Sequence, residues 1–265
     1  MTSSIFTFSE RVSVYLSGVD KNNDEWSARE FRPSDKSNYE ALLANENVMK
    51  YLYQEKPLVD KEFEDKISVY QMGQPQGALT ILDKHSNFIG FIISKPEEKE
   101  GRSEIAYALS SEYWNKGIGQ SVLSKIVEVW GPELCSIGLG EGLDKQNEQY
   151  QNIQKKFQCF KGKELEQFRA TVRPINVSSC NILEKVGFEL VQADISINFE
   201  DKVYELPSLD NENSLKYCKK LEYFINDLYL KEKIEAGKLY SIENYEKFTF
   251  CKNDRIRFCY RKKYK

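Results

Sequence analysis

The stretch Ser103-Glu104-Ile105-Ala106-Tyr107-Ala108-Leu109-Ser110-Ser111-Glu112-Tyr113-Trp114-Asn115-Lys116-Gly117-Ile118-Gly119-Gln120-Ser121, continued by Val122 to Trp130, decides the fold. Its first seven residues are short and largely apolar, as expected of a buried strand. Val122, Ile126, Val129 and Trp130 fall near helical spacing and predict a helix on the far side of the glycines. A strand that ends in a glycine turn and feeds a helix is a general device for holding phosphate. Glycine lets the backbone come close. The free N–H groups of the first helical turn, with the helix dipole behind them, favour an anion. Two close glycines before a helix are, taken alone, more often only a turn.

A second stretch lifts the signal. Ala170-Thr171-Val172-Arg173-Pro174-Ile175-Asn176-Val177-Ser178-Ser179-Cys180-Asn181-Ile182-Leu183-Glu184-Lys185-Val186-Gly187-Phe188-Glu189 reads as strand, proline turn, short helix, glycine stop and strand. Asn176 suits the helix N-cap and Gly187 its end. In this order the two stretches resemble the GNAT family of acyl-CoA-dependent N-acetyltransferases. The first resembles the family's phosphate-cradling motif Q/R-x-x-G-x-G/A, and the second its Asn-bearing helix with a Gly-Phe ending. The wording Glu104-Ile105-Ala106-Tyr107 and Tyr113-Trp114-Asn115-Lys116-Gly117 is most similar to the branch that includes the ribosomal-protein alanine acetyltransferases. The resemblance covers roughly residues 27–199. It implies a single α/β domain over 1–265, with a mixed, curved central sheet and helices on both faces. An insertion at about 134–166 and a C-terminal extension at about 200–265 depart from the family's usual length.

Composition sets limits on function. The 265 residues carry a net charge of −3, which argues against an overall electrostatic grip on nucleic acid. A run of about 18 apolar residues, long enough to span a membrane, is absent. The opening Met1-Thr2-Ser3-Ser4-Ile5 lacks the basic-then-apolar layout of a signal peptide, so a cytoplasmic location is expected. Six cysteines form no Cys-x-x-Cys pair and there is one histidine, so neither a zinc site nor a disulfide framework is expected.

Along the chain, Val12, Val14 and Leu16 alternate with polar residues, as do residues 26–32, and predict a hairpin. Helices are expected from Ser34 or Asp35 toward Ala44 and over Asp60 to Met72. Gly77 to Asp83 and Phe88 to Ser94 flank Lys84-His85-Ser86-Asn87 as a second hairpin with His85 facing solvent at its tip. The helix that follows the glycine turn is expected over Val122 to Trp130, where Gly131-Pro132 comes next. Leu143 to Phe160 suits an exposed helix with Leu143, Tyr150, Ile153 and Phe157 on one face; it either walls the acceptor site or is a solvated excursion. Leu215 to Lys233 has helical spacing, and residues 245–250 and 255–261 predict a closing hairpin, one strand of which completes the sheet. Arg261-Lys262-Lys263-Tyr264-Lys265 reads as a solvated basic tail.

The resemblance carries roles to individual residues. The backbone N–H groups of Gly117, Ile118, Gly119 and Ser121, with the charge of Lys116, would cradle the pyrophosphate of acetyl-CoA. Ala108 and Leu109 would pair with the pantetheine arm, and Asn176 would touch the cofactor or act only as an N-cap. Glu104 is the candidate general base acting through water, because an alkylammonium must lose a proton to attack. A strand carboxylate one position earlier, the alternative pattern, falls here on Ser103, and a one-residue shift reverses the face. The helix position that often holds a Tyr donor holds Leu183, leaving Ser179 and Tyr107 as donor candidates. The first position of the phosphate motif is Trp114. The implied activity is transfer of acetyl by direct attack to a primary amine: a protein N-terminus, a lysine, a polyamine or an antibiotic. No metal is implied. The alternatives are a non-catalytic acyl-CoA-binding or protein-interaction module of the same fold, and a nucleic-acid-binding module resting on the basic tail. Oligomeric state is left open.

Overall fold

Alternating and continuous apolar runs build one sheet. The computed structural model describes residues 6–7, 13–52, 60–141, 146, 148–173, 176–199, 202–205 and 255–264. Its strands are β1 (Phe6–Thr7), β2 (Ser13–Val19), β3 (Glu25–Glu30), β4 (Gly77–Asp83), β5 (Phe88–Pro96), β6 (Arg102–Leu109), β7 (Gln167–Val172), β8 (Glu189–Phe199), β9 (Lys202–Glu205) and β10 (Arg255–Lys263). They lie side by side in the order β1-β2-β3-β4-β5-β6-β7-β10-β8-β9. Neighbours are antiparallel except β6 and β7, which are parallel, so the sheet is mixed. The two predicted hairpins are β2–β3 and β4–β5, and His85 is exposed at the tip of the second.

Helices cover both faces. They are α1 (Lys36–Leu43), α2 (Glu46–Met49), α3 (Asp60–Tyr70), α4 (Ile118–Lys125), α5 (Gly131–Leu139), α6 (Glu148–Phe157) and α7 (Val177–Lys185). Successive side chains of β6 point to opposite faces. Ala106 and Ala108 join the core under α1, α2 and α3 with Tyr39, Met49, Phe63 and Phe91. Ile105, Tyr107 and Leu109 join the core under α4 to α7 with Ile118, Leu123, Trp130, Phe157 and Leu183. Burying each such side chain contributes about 1.5–3 kcal/mol, so α4 is held chiefly by its apolar face.

Three expectations need correction. The helix does not end at Trp130: a π-helical segment, Ile126–Trp130, leads directly into α5, with Pro132 in the first turn of α5. Proline is tolerated there because its missing N–H falls in a first turn, and a π turn is a usual way to relax a helix beside it. Gly131 is needed for another reason: a Cβ there would lie 2.1 Å from the Tyr264 hydroxyl. The basic tail is not a free end either: Arg261, Lys262 and Lys263 pair with Arg169, Phe168 and Gln167 of β7, with Lys263 still exposed, and Tyr264 donates to the Val127 carbonyl at 3.2 Å. Finally, α6 is not a solvated excursion, because Ile153 and Phe157 are buried in the core. Among the described residues of 134–166, none lines the cavity described below. Within the last part of the chain, β10 lies between β7 and β8. The expected helix at 215–233 and the strand at 245–250 lie outside the described residues.

One polar cluster ties α1 to the sheet. The buried Asp35 carboxylate accepts from both guanidinium nitrogens of Arg29 (2.7 and 2.9 Å), from the Arg32 N–H (2.9 Å) and from Thr80 Oγ1 (2.9 Å). Thr80 Oγ1 also meets the Tyr39 hydroxyl at 3.0 Å. Burial disfavours the charge on Asp35, but these donors outweigh it and hold its pKa below the ordinary carboxylate value. A carboxylate with a depressed folded-state pKa contributes stability that is complete above the unfolded value and is lost as pH falls through the folded one. Asp35→Asn should therefore destabilise the protein by about 2–3 kcal/mol at pH 7, by leaving Arg29 partly buried without its partner. Urea melts of both proteins should converge as pH is lowered below about 4; a difference that persists undiminished to pH 2 would refute the assignment.

Candidate active site

The site is built where β6 and β7 part. Their parallel pairing spans only Arg102↔Gln167, Ser103↔Phe168 and Glu104↔Arg169. Beyond it β6 remains paired with β5 as far as Gly90↔Leu109, and β7 remains paired with β10 as far as Val172↔Phe258. The Ser110 N–H bonds the Ile89 carbonyl toward β5. By alternation, Tyr107 and Leu109 turn their backbone groups the other way, into the gap. Ala108 pairs with Phe91 and directs its carbonyl toward Gly90, so its backbone faces β5 and not the gap. The backbone offered to a ligand is thus that of Tyr107 and Leu109, which corrects the expectation for Ala108. The Leu109 carbonyl already accepts from Trp114 Nε1 at 2.8 Å, which folds the turn back onto the strand end.

At the head of α4, Gly117 is the N-cap with φ +82°, a left-handed conformation that glycine adopts without strain. A Cβ on it would lie 3.2 Å from Lys21 Cβ. The Lys21 N–H donates to the Lys116 carbonyl at 3.0 Å, so the β2–β3 turn sits beside the cradle and brings a second lysine to it. Lys116 Nζ lies 4.5 Å from the centre of the Tyr113 ring. The N–H groups of Ile118 and Gly119, in the first turn of α4, have no helical partner by position. Ser121 is different. Its N–H bonds the Gly117 carbonyl (3.0 Å), while its hydroxyl donates to the Val19 carbonyl (2.7 Å) and accepts from Trp26 Nε1 (2.9 Å). Ser121 therefore staples α4 to the β2–β3 hairpin and offers no donor to the cradle, a correction to the sequence expectation.

Across the gap, Asn176 caps α7 by accepting the Ser179 N–H at 3.1 Å. Ser179 Oγ and the Tyr107 hydroxyl are 2.7 Å apart, joining α7 to β6. Burial pushes the Tyr107 phenol up to about 12, against the opposing effect of Ser179. It is a neutral hydrogen-bond donor at any physiological pH. Leu183 is fully buried, in the same core against which Tyr107 packs.

On the opposite face a cavity of about 240 Å³ lies between α1–α3 and the parting strands. Glu104 and Tyr107 both line it. Glu104 Oε1 accepts from Thr171 Oγ1 at 2.9 Å and Oε2 meets Lys95 Nζ at 3.1 Å. Ser103 is buried, its hydroxyl spent on Ser94 and on the Lys95 carbonyl. Of the two strand positions, the carboxylate at 104 is the one on the cavity. Lys21, Lys66, Lys95 and Arg173 escaped the sequence reading. For Lys95 a signal was present, since the β5–β6 register sets it directly opposite Glu104.

Residues 28–189, more than half of the chain, match the family model described as Acetyltransferase (GNAT) domain. The chain belongs to the GNAT acetyltransferase family. Acetyl transfer is the chemistry of that family. No curated protein sequence matches the chain. Among solved structures it is similar to a GNAT-family acetyltransferase from Bacillus anthracis (12% identity, TM-score 0.45, 90% of this chain and 94% of that one). It is likewise similar to one from Streptococcus pneumoniae (13%, TM-score 0.48, 90% and 99%). A third is the spermidine N-acetyltransferase from Vibrio cholerae, solved in complex with CoA and spermine (15%, TM-score 0.47, 68% and 90%). Among the described residues no group of side chains could hold a metal ion, and no helix is long and apolar enough to cross a membrane.

The two glycines of the motif should respond differently to alanine. At Gly119 a Cβ makes only ordinary contacts, the nearest at 3.4 Å to Ile182, and alanine favours helix. At Gly117 it must adopt the left-handed conformation, costing about 1–2 kcal/mol. Gly119→Ala should leave the melting temperature unchanged or slightly raised, and Gly117→Ala should lower it by several degrees. Equal effects in thermal melts would contradict the cradle geometry.

Proposed function

We infer that the protein is an acetyl-CoA-dependent N-acetyltransferase that moves the acetyl group to a primary amine by direct attack. The observation that carries this reading is the parting of β6 from β7, with a cradle on one side and a cavity holding a carboxylate on the other. The residues fit the donor. Gly117 leaves open the space a side chain would fill, Ile118 and Gly119 present N–H groups, and Lys21 and Lys116 supply positive charge for a pyrophosphate. Tyr107 and Leu109 present backbone to an amide-bearing arm, as a neighbouring strand would. Bound acetyl-CoA supplies an activated thioester carbonyl. Asn176 is fully accounted for as an N-cap, and contact of its remaining amide with the donor belongs to the same reading.

The chain's own groups then divide the work. Glu104, bonded to Lys95 and Thr171, accepts the proton of the incoming ammonium through a water that it orients. Tyr107, with Ser179 behind it, donates a hydrogen bond to the departing thiolate. A phenol at about 12 opposite a thiol near the ordinary value of about 8.5 stabilises the thiolate without giving up its proton.

Isothermal titration with acetyl-CoA, CoA and dephospho-CoA tests the reading. The wild type should bind acetyl-CoA with micromolar affinity, and Gly117→Glu should abolish binding by filling and charging the cradle. Glu104→Gln should bind acetyl-CoA as the wild type does while kcat falls about 10²–10⁴-fold. A folded wild type that fails to bind acetyl-CoA would sink the proposal. Turnover unaffected by Glu104→Gln would remove the base.

A further inference from the structure

The lining of the cavity indicates what kind of amine enters it, granting the acetyl-transfer reading above. Its charged side chains gather at the fork. Lys95 and Glu104 face each other in register and meet at 3.1 Å, and Thr171 donates to Glu104. Lys66, on α3, is attracted by Glu104 and Glu62 and repelled by Lys95. Arg173, just past β7, is held by the Lys50 carbonyl at 2.8 Å. Glu104 is the one acid on the cavity among the described residues.

The rest of the cavity is of another kind. Along this face of β5, Lys95 is followed by Ile93 and Phe91, and Phe91 lies about 13 Å from Lys95 at about 3.3 Å per residue. Opposite Ile93, β6 carries only Ala106, whose small side chain leaves space beside it. Leu43 of α1, Met49 of α2, Leu52 just beyond it and Val69 of α3 supply further walls. Tyr70 stands against Phe91 and Tyr39, with 5.2 and 5.3 Å between ring centres, and burial pushes its phenol up, so it is neutral. A second ammonium carried into this part would lose its water without a carboxylate to meet it, which is costly. An apolar group gains instead, about fourfold in affinity for each methylene removed from water. The volume of about 240 Å³ corresponds to about eight waters, room for an amine of roughly seven to nine non-hydrogen atoms.

We propose that the acceptor is a small primary amine on an apolar or aromatic body, the amine placed at Glu104 and the body lying between Ile93 and Phe91 of the sheet and Val69 of α3. A diamine or polyamine is selected against, because its second charge falls where the walls are apolar.

The test compares ethylamine, butylamine, hexylamine and phenethylamine with 1,5-diaminopentane, which matches hexylamine in size, and with spermidine. Each is measured for kcat/KM at saturating acetyl-CoA and for binding to the protein–CoA complex by calorimetry. Hexylamine and phenethylamine should each exceed ethylamine, 1,5-diaminopentane and spermidine at least tenfold, with butylamine between ethylamine and hexylamine. Binding of hexylamine to the wild type should show a negative heat-capacity change, the mark of apolar burial, and ethylamine much less of one. Val69→Phe, which narrows the apolar part, should shrink the hexylamine-to-ethylamine ratio at least fivefold, and Val69→Ala, which keeps it open, should retain most of that ratio. Equal kcat/KM for ethylamine and hexylamine, a preference for the diamine or spermidine, or binding of none of these amines overturns the proposal. Acetyl-CoA affinity measured on the same preparation separates the two readings. If acetyl-CoA does not bind but hexylamine still binds more tightly than the diamine, the cavity assignment stands and acetyl transfer falls. If acetyl-CoA turns over with the diamine or spermidine foremost, acetyl transfer stands and the apolar acceptor falls.

Discussion

The structure turns on three parallel residue pairs between β6 and β7. Past Glu104↔Arg169 each strand stays bound to its outer neighbour, β6 to β5 and β7 to β10, and neither is free to reach the other. This leaves strand backbone in the middle of a sheet without its usual partner. An unpaired, buried N–H or carbonyl costs about 1–3 kcal/mol, so such a gap is a standing invitation to a ligand with amide groups. Within the protein the gap is crossed at the side-chain level by the 2.7 Å contact between Tyr107 and Ser179. That contact fixes the distance of α7 from β6 and places a phenol at the fork.

The fork also separates two kinds of recognition. On the α4 and α7 side the offered groups are mostly backbone: the first turn of α4 after Gly117 and the inner edge of β6. Backbone groups recognise a shape and a charge common to many molecules, which suits a shared donor. On the α1–α3 side the offered groups are side chains, Lys66, Lys95, Glu104 and Arg173. Side chains can change without changing the fold, which suits selection of one acceptor. Glu104 belongs to the second face and Tyr107 to the first, though both reach the cavity. The alternation of a single strand thus sets the carboxylate and the phenol on opposite faces.

What the sequence made legible was local. The β4–β5 hairpin, the glycine turn and the Asn176-capped helix each depend on residues within one or two turns of one another, and each was found where spacing put it. Three things depended on residues distant in sequence and were not legible. Ser121 looked like part of the cradle because it follows Gly119; only the arrival of Val19 and Trp26 shows its hydroxyl to be in use. The helix looked complete at Trp130 because the π segment and the approach of Tyr264 cannot be read from Gly131-Pro132. Lys66 and Arg173, 107 positions apart by their numbers, share a cavity only because α3 and β7 pack on the same face.

The last strand explains how so much depends on so late a segment. Through Tyr260 it donates to Glu184 on α7 at 2.9 Å, and just beyond its end Tyr264 donates to Val127 in the π segment after α4. Tyr264 also stands edge-on to Phe168 of β7, 5.7 Å between ring centres. Both α4, which follows Gly117, and α7, which carries Ser179, are therefore anchored by β10 and the residue after it, and β10 enters the sheet only after the long connection that follows β9. Closing that connection is less costly than its length suggests. Loop-closure entropy grows with the logarithm of length, at about 0.6 kcal/mol per doubling. A nine-residue strand paired with β7 over Phe258 to Lys263 and with β8 over Arg255 to Arg261, the buried Tyr260 and Cys259 and the partly buried Tyr264 offset a penalty of that size many times over. The connection can vary in length without loosening the fork, because the fork is held by what the strand brings with it and not by how the chain gets there.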